Sequence, residues 1–447
     1  MSAAEDLRSI ETVGALLRGR QLSPVDLARQ CLDRIDARRE LNAFITVRAD
    51  AAIDEARIAE RELAAGRDRG PLHGIPVSVK DLVDVAGTPT TSGSAVPPRT
   101  GVADAPIVTR LREAGAIIVG KTNLHEFAFG TTSDETAFGA VHHPKDPSRS
   151  AGGSSGGAAV ALVEGMCFAS VGTDTGGSIR IPSAACGTVG LKPTVGELPC
   201  DGIVPLSTTL DHVGPMARTV ADVRLMFAAM GGQINRAPSR GAKGLRFAAP
   251  NAYFCDHLDP AVRAALGRVR EALTSAGHTV TTIEIPRAGW TPDAYLHIVL
   301  PEASWYHAPM IESHADAYSP GVRLRLEMGR YVLAEDYVRA LHVRDVLRAD
   351  VDGALEGFDA LLLPTLPITA PPLGASSIDV GGTQLPVRAA MLKLTQVFNV
   401  TGHPAIALPA GVSPDGWPVS VQLVGARNGT ARLLDVAAAV EPHVTVR

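Results

Sequence analysis

The sequence predicts an α/β layered fold, and three observations carry that prediction. From Gly74 onward, short β-branched runs alternate with helical segments. Loops rich in glycine and serine join the two kinds of segment, notably at 150–157 and 172–178. The 447 residues are 45% hydrophobic and 20% charged, enough apolar material for a large buried core.

The first 70 residues read as a helical segment packing on the core. Ser23 is placed to cap a helix that Pro24 opens, with Asp26 in its first turn. Leu27, Cys31 and Ile35 then recur four apart and give that helix one apolar face. A second helix spans 49–65 and ends at Gly66. Residues 71–447 form the main domain. Its strands are expected at 75–79, 116–119 and 168–171, then at 245–248, 280–285, 360–363, 405–408 and 419–424. Helices are expected at 107–114 and 157–164.

A mostly helical, cap-like insertion is expected at about 286–357. It holds Trp290, Trp305, Tyr295, Tyr306, Tyr318, Tyr331 and Tyr337. These aromatics suit ordinary helix packing or the lining of a substrate pocket, and the sequence alone does not separate the two.

Composition excludes several function classes. The net charge is −5 and no Lys/Arg-rich run occurs, which argues against a nucleic-acid partner. No apolar stretch approaches the ~20 residues that span a bilayer, so no membrane partner is expected. Residues 1–18 lack a basic-then-apolar signal pattern. Five scattered cysteines without a CxxC pair read as reduced thiols, and the expected location is the cytoplasm. His125-Glu126 and His142-His143 lack a metal-ligand spacing, so neither metal nor cofactor is expected. Oligomeric state, monomer or homodimer, is not readable.

Two glycine loops carry the chemistry. Ala151-Gly152-Gly153-Ser154-Ser155-Gly156-Gly157 leaves backbone amides uncovered and opens directly into a helix, which a flexible linker would not do. Its match to G-x-S-x-G fails as a nucleophile elbow, because the preceding His143-Pro144-Lys145-Asp146-Pro147-Ser148-Arg149 cannot be a core strand. No Lys-Ser/Thr follows to make it a phosphate loop. The second loop, Gly172-Thr173-Asp174-Thr175-Gly176-Gly177-Ser178, follows an apolar run. A serine behind two glycines is exposed to free N–H groups that suit a developing oxyanion; a tight turn with a capping serine is the structural alternative.

A nucleophilic serine needs a base. Thirteen histidines are available, His73, His125, His142 and His143 among them, but none forms a recognisable partner with an aspartate. Lys80 ends the apolar strand Val77-Ser78-Val79, where burial favours the neutral amine. Bringing a lysine from ~10.4 to near 7 costs about 4–5 kcal/mol. Taken alone, a lysine such as Lys80 is more often a surface residue or an ion-pair partner, here of Asp81 or Asp84.

Together, Gly74-Ile75-Pro76-Val77-Ser78-Val79-Lys80-Asp81, Gly152-Gly153-Ser154-Ser155-Gly156-Gly157 and the 172–180 segment resemble the amidase signature family. The likeness continues through Pro182-Ser183-Ala184-Ala185-Cys186-Gly187, Gly190-Leu191-Lys192-Pro193-Thr194, Leu210-Asp211-His212-Val213-Gly214-Pro215 and Gln422-Leu423-Val424-Gly425. It is weakest between about 240 and 360. The resemblance implies a large mixed β-sheet flanked by helices on both faces, and a serine hydrolase that cleaves a C–N bond through an acyl-enzyme. It implies Ser178 as nucleophile, Ser154 as a relay held by a cis peptide bond, and Lys80 as terminal base. It further implies an oxyanion hole from the amides of Thr175, Gly176, Gly177 and Ser178, with Asp174 and Arg180 as a structural pair and Ser155 supporting Lys80.

The substrate implied is a small amide-like molecule: an amide, ester, urea or carbamate. The family also includes the glutaminase (A) subunit of a tRNA-dependent amidotransferase, which is the alternative reading. Against it, Gly202-Ile203-Val204-Pro205-Leu206-Ser207 departs from the stretch expected there, and the sequence ends soon after Gln422–Gly425.

Overall fold

The computed structural model describes residues 9–234 and 244–444. Helix α1 (Ile10–Arg18) starts at Ser9, whose side chain accepts from the Thr12 amide. Helix α2 (Pro24–Ala37) starts where its cap signals place it: Ser23 accepts from the amides of Val25 and Asp26. The N-terminal segment is not helical throughout, however. Between α2 and α3 (Ala49–Ala64) lies a strand, β1 (Phe44–Val47), so this segment also supplies an edge of the sheet. Phe-Ile-Thr-Val is a good strand sequence, but it is only four residues long and flanked closely by helices.

The next stretch alternates as expected: β2 (Pro76–Lys80), α4 (Pro106–Glu113), β3 (Ile117–Thr122), α5 (Gly156–Val163), β4 (Ala169–Thr173) and α6 (Arg180–Cys186). Two further strands, β5 (Val189–Lys192) and β6 (Val213–Ala217), precede α7 (Val220–Ala229). Then come β7 (Arg246–Pro250), α8 (Pro260–Ser275) and β8 (Thr279–Ile283), followed by three helices, α9 (Thr291–His314), α10 (Pro320–Gly329) and α11 (Ala334–Leu355). The chain closes with β9 (Ala360–Pro364), the hairpin β10 (Ser377–Val380) and β11 (Thr383–Pro386), α12 (Val387–Leu392), α13 (Gln396–Val400), β12 (Ala405–Val412), β13 (Pro418–Val424) and α14 (Thr430–Val444).

Eleven strands form one mixed sheet in the order β1-β3-β2-β4-β6-β5-β12-β13-β9-β7-β8. β2 runs parallel to both β3 and β4, and β7 runs parallel to β8 and β9; the pairs linking these groups are antiparallel. Both faces of the sheet are covered. Along β3, Ile118 packs into one apolar cluster while Ile117 and Val119 pack into another. Along β9, Leu362 is separated in the same way from Leu361 and Leu363. A period of two that divides residues between two cores is what a sheet buried on both sides requires. Every residue of β2 and β4 is buried, so a polar side chain at their ends leaves water behind. Among the described residues no helix is long and apolar enough to cross a membrane.

Candidate active site

Lys80 is the last residue of β2, held between β3 and β4, and is fully buried. The two carboxylates nearest in sequence are taken elsewhere: Asp81 pairs with Lys121 at 2.8 Å and Asp84 with Arg99 at 2.6 Å. Among the described residues Lys80 has no ion-pair partner. Its amine instead donates to Ser154 Oγ at 2.7 Å and to Thr173 Oγ1 at 2.9 Å. Burial pulls its pKa from 10.5 down to about 7, against the opposing pull of Asp174 and Asp211. The surface-lysine and ion-pair readings of Lys80 are therefore set aside.

Ser154 lies in the loop before α5, and the Gly153–Ser154 peptide is cis. Its carbonyl accepts from His125 N at 3.2 Å and Ser133 Oγ at 3.3 Å, which fixes the loop from the 125–133 side. Gly157, just inside α5, admits no side chain: a Cβ there would meet the carbonyl of Ala43 at 2.4 Å.

Ser178 is buried, with 5% of its surface exposed. The two glycine loops meet here, because the Ser155 amide donates to the Ser178 carbonyl at 3.2 Å. The hydrogen-bonded line is complete from Lys80 to Ser154; no hydrogen bond joins the Ser178 hydroxyl to Ser154 in this state of the molecule. No histidine among the described residues hydrogen-bonds the side chain of either serine. Ser155 does not support Lys80 directly. Its hydroxyl donates to the Thr173 carbonyl at 3.3 Å, and the second acceptor on Lys80 is the Thr173 hydroxyl. That hydroxyl comes from β4, whose register against β2 is invisible in either segment alone.

The amides of Thr175, Gly176, Gly177 and Ser178 donate to no acceptor among the described residues, although all four residues are buried. Buried N–H groups without a partner are rare, so four in succession mark a place prepared for an acceptor. Gly177 has φ +140°, and a Cβ on it would lie 2.3 Å from Thr395 Oγ1, so both backbone and space require glycine.

The loop is clamped on its far side. Arg180 meets Asp174 through two bonds, Nε to Oδ2 at 3.0 Å and an NH2 nitrogen to Oδ1 at 2.9 Å, with both side chains fully buried. Burial alone would raise the Asp174 pKa, but Arg180 and the Asn399 amide hold it well below the usual carboxylate range. Thr395 Oγ1 donates to the Gly176 carbonyl at 2.6 Å, Asn399 Nδ2 to the Asp174 carbonyl at 2.9 Å, and Gln422 accepts from Arg180 at 3.1 Å. Thus α13 and β13 grip a loop more than 200 residues earlier.

The Amidase family profile matches residues 26–434. The chain belongs to the amidase family. An amidase from Pseudomonas putida is 38% identical over 428 residues, covering 91% of this chain and 90% of that one. The A subunit of the glutamyl-tRNA(Gln) amidotransferase from Nitratidesulfovibrio vulgaris (strain DP4) is 35% identical over 481 aligned residues, covering 98% of this chain and 96% of its own. A crystal structure of an amidase superposes with a TM-score of 0.93 at 38% identity, covering 98% of this chain and 100% of the other. The expected mixed sheet with helices on both faces is therefore the amidase fold.

In this amidase-family chain a cavity of about 360 Å³ adjoins the site, with Thr173, Thr175 and Asp211 in its wall. Asp211 accepts from the Thr175 hydroxyl at 2.6 Å and from the amides of Leu206 and Ser207. Burial raises its pKa to about 6. Sequence reasoning placed Asp211 in a family motif without a role; its contact with Thr175 makes it a support of the glycine loop. Of the aromatics at 290–337, Tyr295 is buried against Gly176 and Tyr318 packs on Phe127, whereas Trp305 and Tyr331 lie on the surface.

Proposed function

We propose that the protein hydrolyses the C–N bond of a small amide, with Ser178 as nucleophile, Ser154 as proton relay and Lys80 as base. The observation that carries this reading is a fully buried lysine, without an ion-pair partner among the described residues, poised near neutrality and hydrogen-bonded to a serine where two glycine loops meet. Neutral Lys80 accepts a proton through Ser154 as Ser178 attacks the carbonyl carbon. The developing oxyanion is stabilised by the amides of Thr175 to Ser178, which are buried and have no acceptor among the described residues. The same relay returns the proton to the departing nitrogen, since an amide anion is a poor leaving group. Water then attacks the acyl-enzyme by the reverse route. The attack requires Ser178 Oγ to come within hydrogen-bond reach of Ser154 when substrate binds, a tightening common between free and occupied sites.

A panel of chromogenic anilides, esters, carbamates and primary amides tests the reading. Hydrolysis by the wild type and its loss by at least about a thousandfold in Ser178→Ala, with an unchanged circular dichroism spectrum, are expected. Retention of full activity in that variant would exclude Ser178.

The second reading, a glutaminase component of a larger enzyme, is favoured by the 35% identity to the A subunit of glutamyl-tRNA(Gln) amidotransferase over nearly the whole chain. Hydrolysis of free glutamine by the isolated chain, or recovery of the chain in a complex with partner subunits, distinguishes it from a self-sufficient amidase.

A further inference from the structure

Helix α9 meets the site at two points. Tyr295 and Glu302 lie seven residues apart on it, two helical turns, and so share one face. Tyr295 stands against Gly176, its hydroxyl 2.7 Å from where a Cβ on that glycine would be. Glu302 reaches the loop at 206–211, which supplies Leu206, Thr208 and Asp211 to the wall of the cavity beside the site.

The half-buried Glu302 carboxylate is devoted to that loop. Its Oε2 accepts from Ser207 Oγ at 2.6 Å, the Thr209 amide at 3.0 Å and Thr208 Oγ1 at 3.4 Å. Its Oε1 accepts from Thr209 Oγ1 at 2.7 Å and from the Tyr337 hydroxyl of α11 at 2.9 Å. Asp211 grips the same loop by the amides of Leu206 at 2.9 Å and Ser207 at 3.1 Å, and accepts from the Thr175 hydroxyl at 2.6 Å. The main chain adds a bond from the Asp211 amide to the Ser207 carbonyl at 2.8 Å, and Asp174 and His212 exchange amide–carbonyl bonds at 2.8 and 3.1 Å. An unbroken series of hydrogen bonds thus runs from α9 through 206–211 to Thr175. Stability alone is a poor account of it, because the two carboxylates repel: burial first, and the charge of Glu302 in addition, oppose ionisation of Asp211. What the pair supplies is acceptor capacity at both ends of a short loop, which pins the segment between them.

We propose that Glu302 is a positioning residue for the chemical step: by holding 206–209 it keeps Asp211 on Thr175, and so keeps the amides of Thr175 to Ser178 aligned for the oxyanion. This rests on the hydrolase reading of the site. Glu302 acts on the reacting atoms only through the loop, so its contribution belongs to the rate of the bound substrate rather than to substrate affinity. Donors aimed at a developing charge help only while they stay in place, so a loose Thr175 weakens all four amides together.

The test measures kcat and KM for Glu302→Ala, Glu302→Gln, Thr175→Val and the double variants on an amide that the wild type hydrolyses. Glu302→Ala is expected to lower kcat by about 10–100-fold with KM within about threefold, short of the loss of a whole oxyanion donor. Glu302→Gln keeps one acceptor oxygen and recovers part of that loss. Thr175→Val keeps the amide and removes the hydroxyl that Asp211 holds. Adding Glu302→Ala to it lowers kcat by no more than about a further twofold, because both residues belong to one series of bonds. Wild-type kcat in a folded Glu302→Ala, or losses that multiply in full in the double variant, overturns the proposal. If Glu302→Ala does not fold, the same comparison with Glu302→Gln decides. Hydrogen–deuterium exchange of the full chain reads the linkage without turnover. Faster exchange in Glu302→Gln at both 206–212 and 173–178 upholds the linkage even if no amide is hydrolysed. Faster exchange at 206–212 alone removes it.

Discussion

Lys80 owes its chemistry to exclusion from water. Its neighbours on the chain and in space are apolar or already paired, so two hydroxyls are left to hold its amine. A folded pKa of about 7 against 10.5 unfolded has two consequences of opposite sign. For activity, the neutral base grows tenfold per pH unit below 7 and saturates above it, so kcat/KM should rise along an acid limb centred near pH 7. For stability, the unfolded chain binds one more proton than the folded one between the two pKa values, so wild-type stability rises with pH across that window. Keeping the amine uncharged at pH 7 costs up to about 5 kcal/mol at 1.36 per unit. Lys80→Met should accordingly be inactive yet as stable as wild type or more so at pH 7, less the two stranded hydroxyl bonds at about 1 kcal/mol each. Its advantage should shrink as urea titrations are repeated from pH 7 towards 10. An advantage that grows with pH would mean that Lys80 is charged in the folded protein.

At the scale of elements, the glycine loop between β4 and α6 is shaped by the Asp174–Arg180 pair and pinned from α13 and β13. Removing one partner leaves a buried charge uncompensated, so Asp174→Ala should lower the unfolding free energy by about 3–5 kcal/mol in denaturant titration and remove activity with it. Legibility in the sequence follows the same boundary between local and distant. β2, β3 and β4 each coincide with a short β-branched or apolar run and can be read directly. β5 and β6 carry Gly190, Gly214 and Pro215, which break the strand pattern, and only the neighbouring strands explain their burial. The hairpin β10–β11 did carry a local sign, Gly381-Gly382 between two extended pairs, the usual mark of a tight turn. The proposed triad of Lys80, Ser154 and Ser178 can be read from the sequence because each sits in a short motif of distinctive composition. Thr173, Thr395 and Asn399 cannot, because what each does depends on segments far away in the chain.

At the scale of the whole molecule, the N-terminal helices are part of the core. Ile10, Val13 and Leu17 of α1 are buried in the main apolar cluster, and the Ile10 amide donates to Asp222 of α7 at 2.8 Å. Leu17→Ala should therefore lower the urea midpoint by the equivalent of about 2–5 kcal/mol while leaving kcat unchanged, since it opens a cavity in the core and touches neither glycine loop. A second pattern is the division of labour along the chain: the groups assigned to bond cleavage fall between Lys80 and His212, and so does the wall of the cavity beside them, whereas the clamp on the glycine loop is drawn from Thr395, Asn399 and Gln422. Descendants of such a molecule can drift in much of the later half and still inherit the chemistry of the earlier one intact. Thr395, Asn399 and Gln422 are the exceptions: they belong to the later half, yet a lineage that lost them would let the ancestral loop go slack.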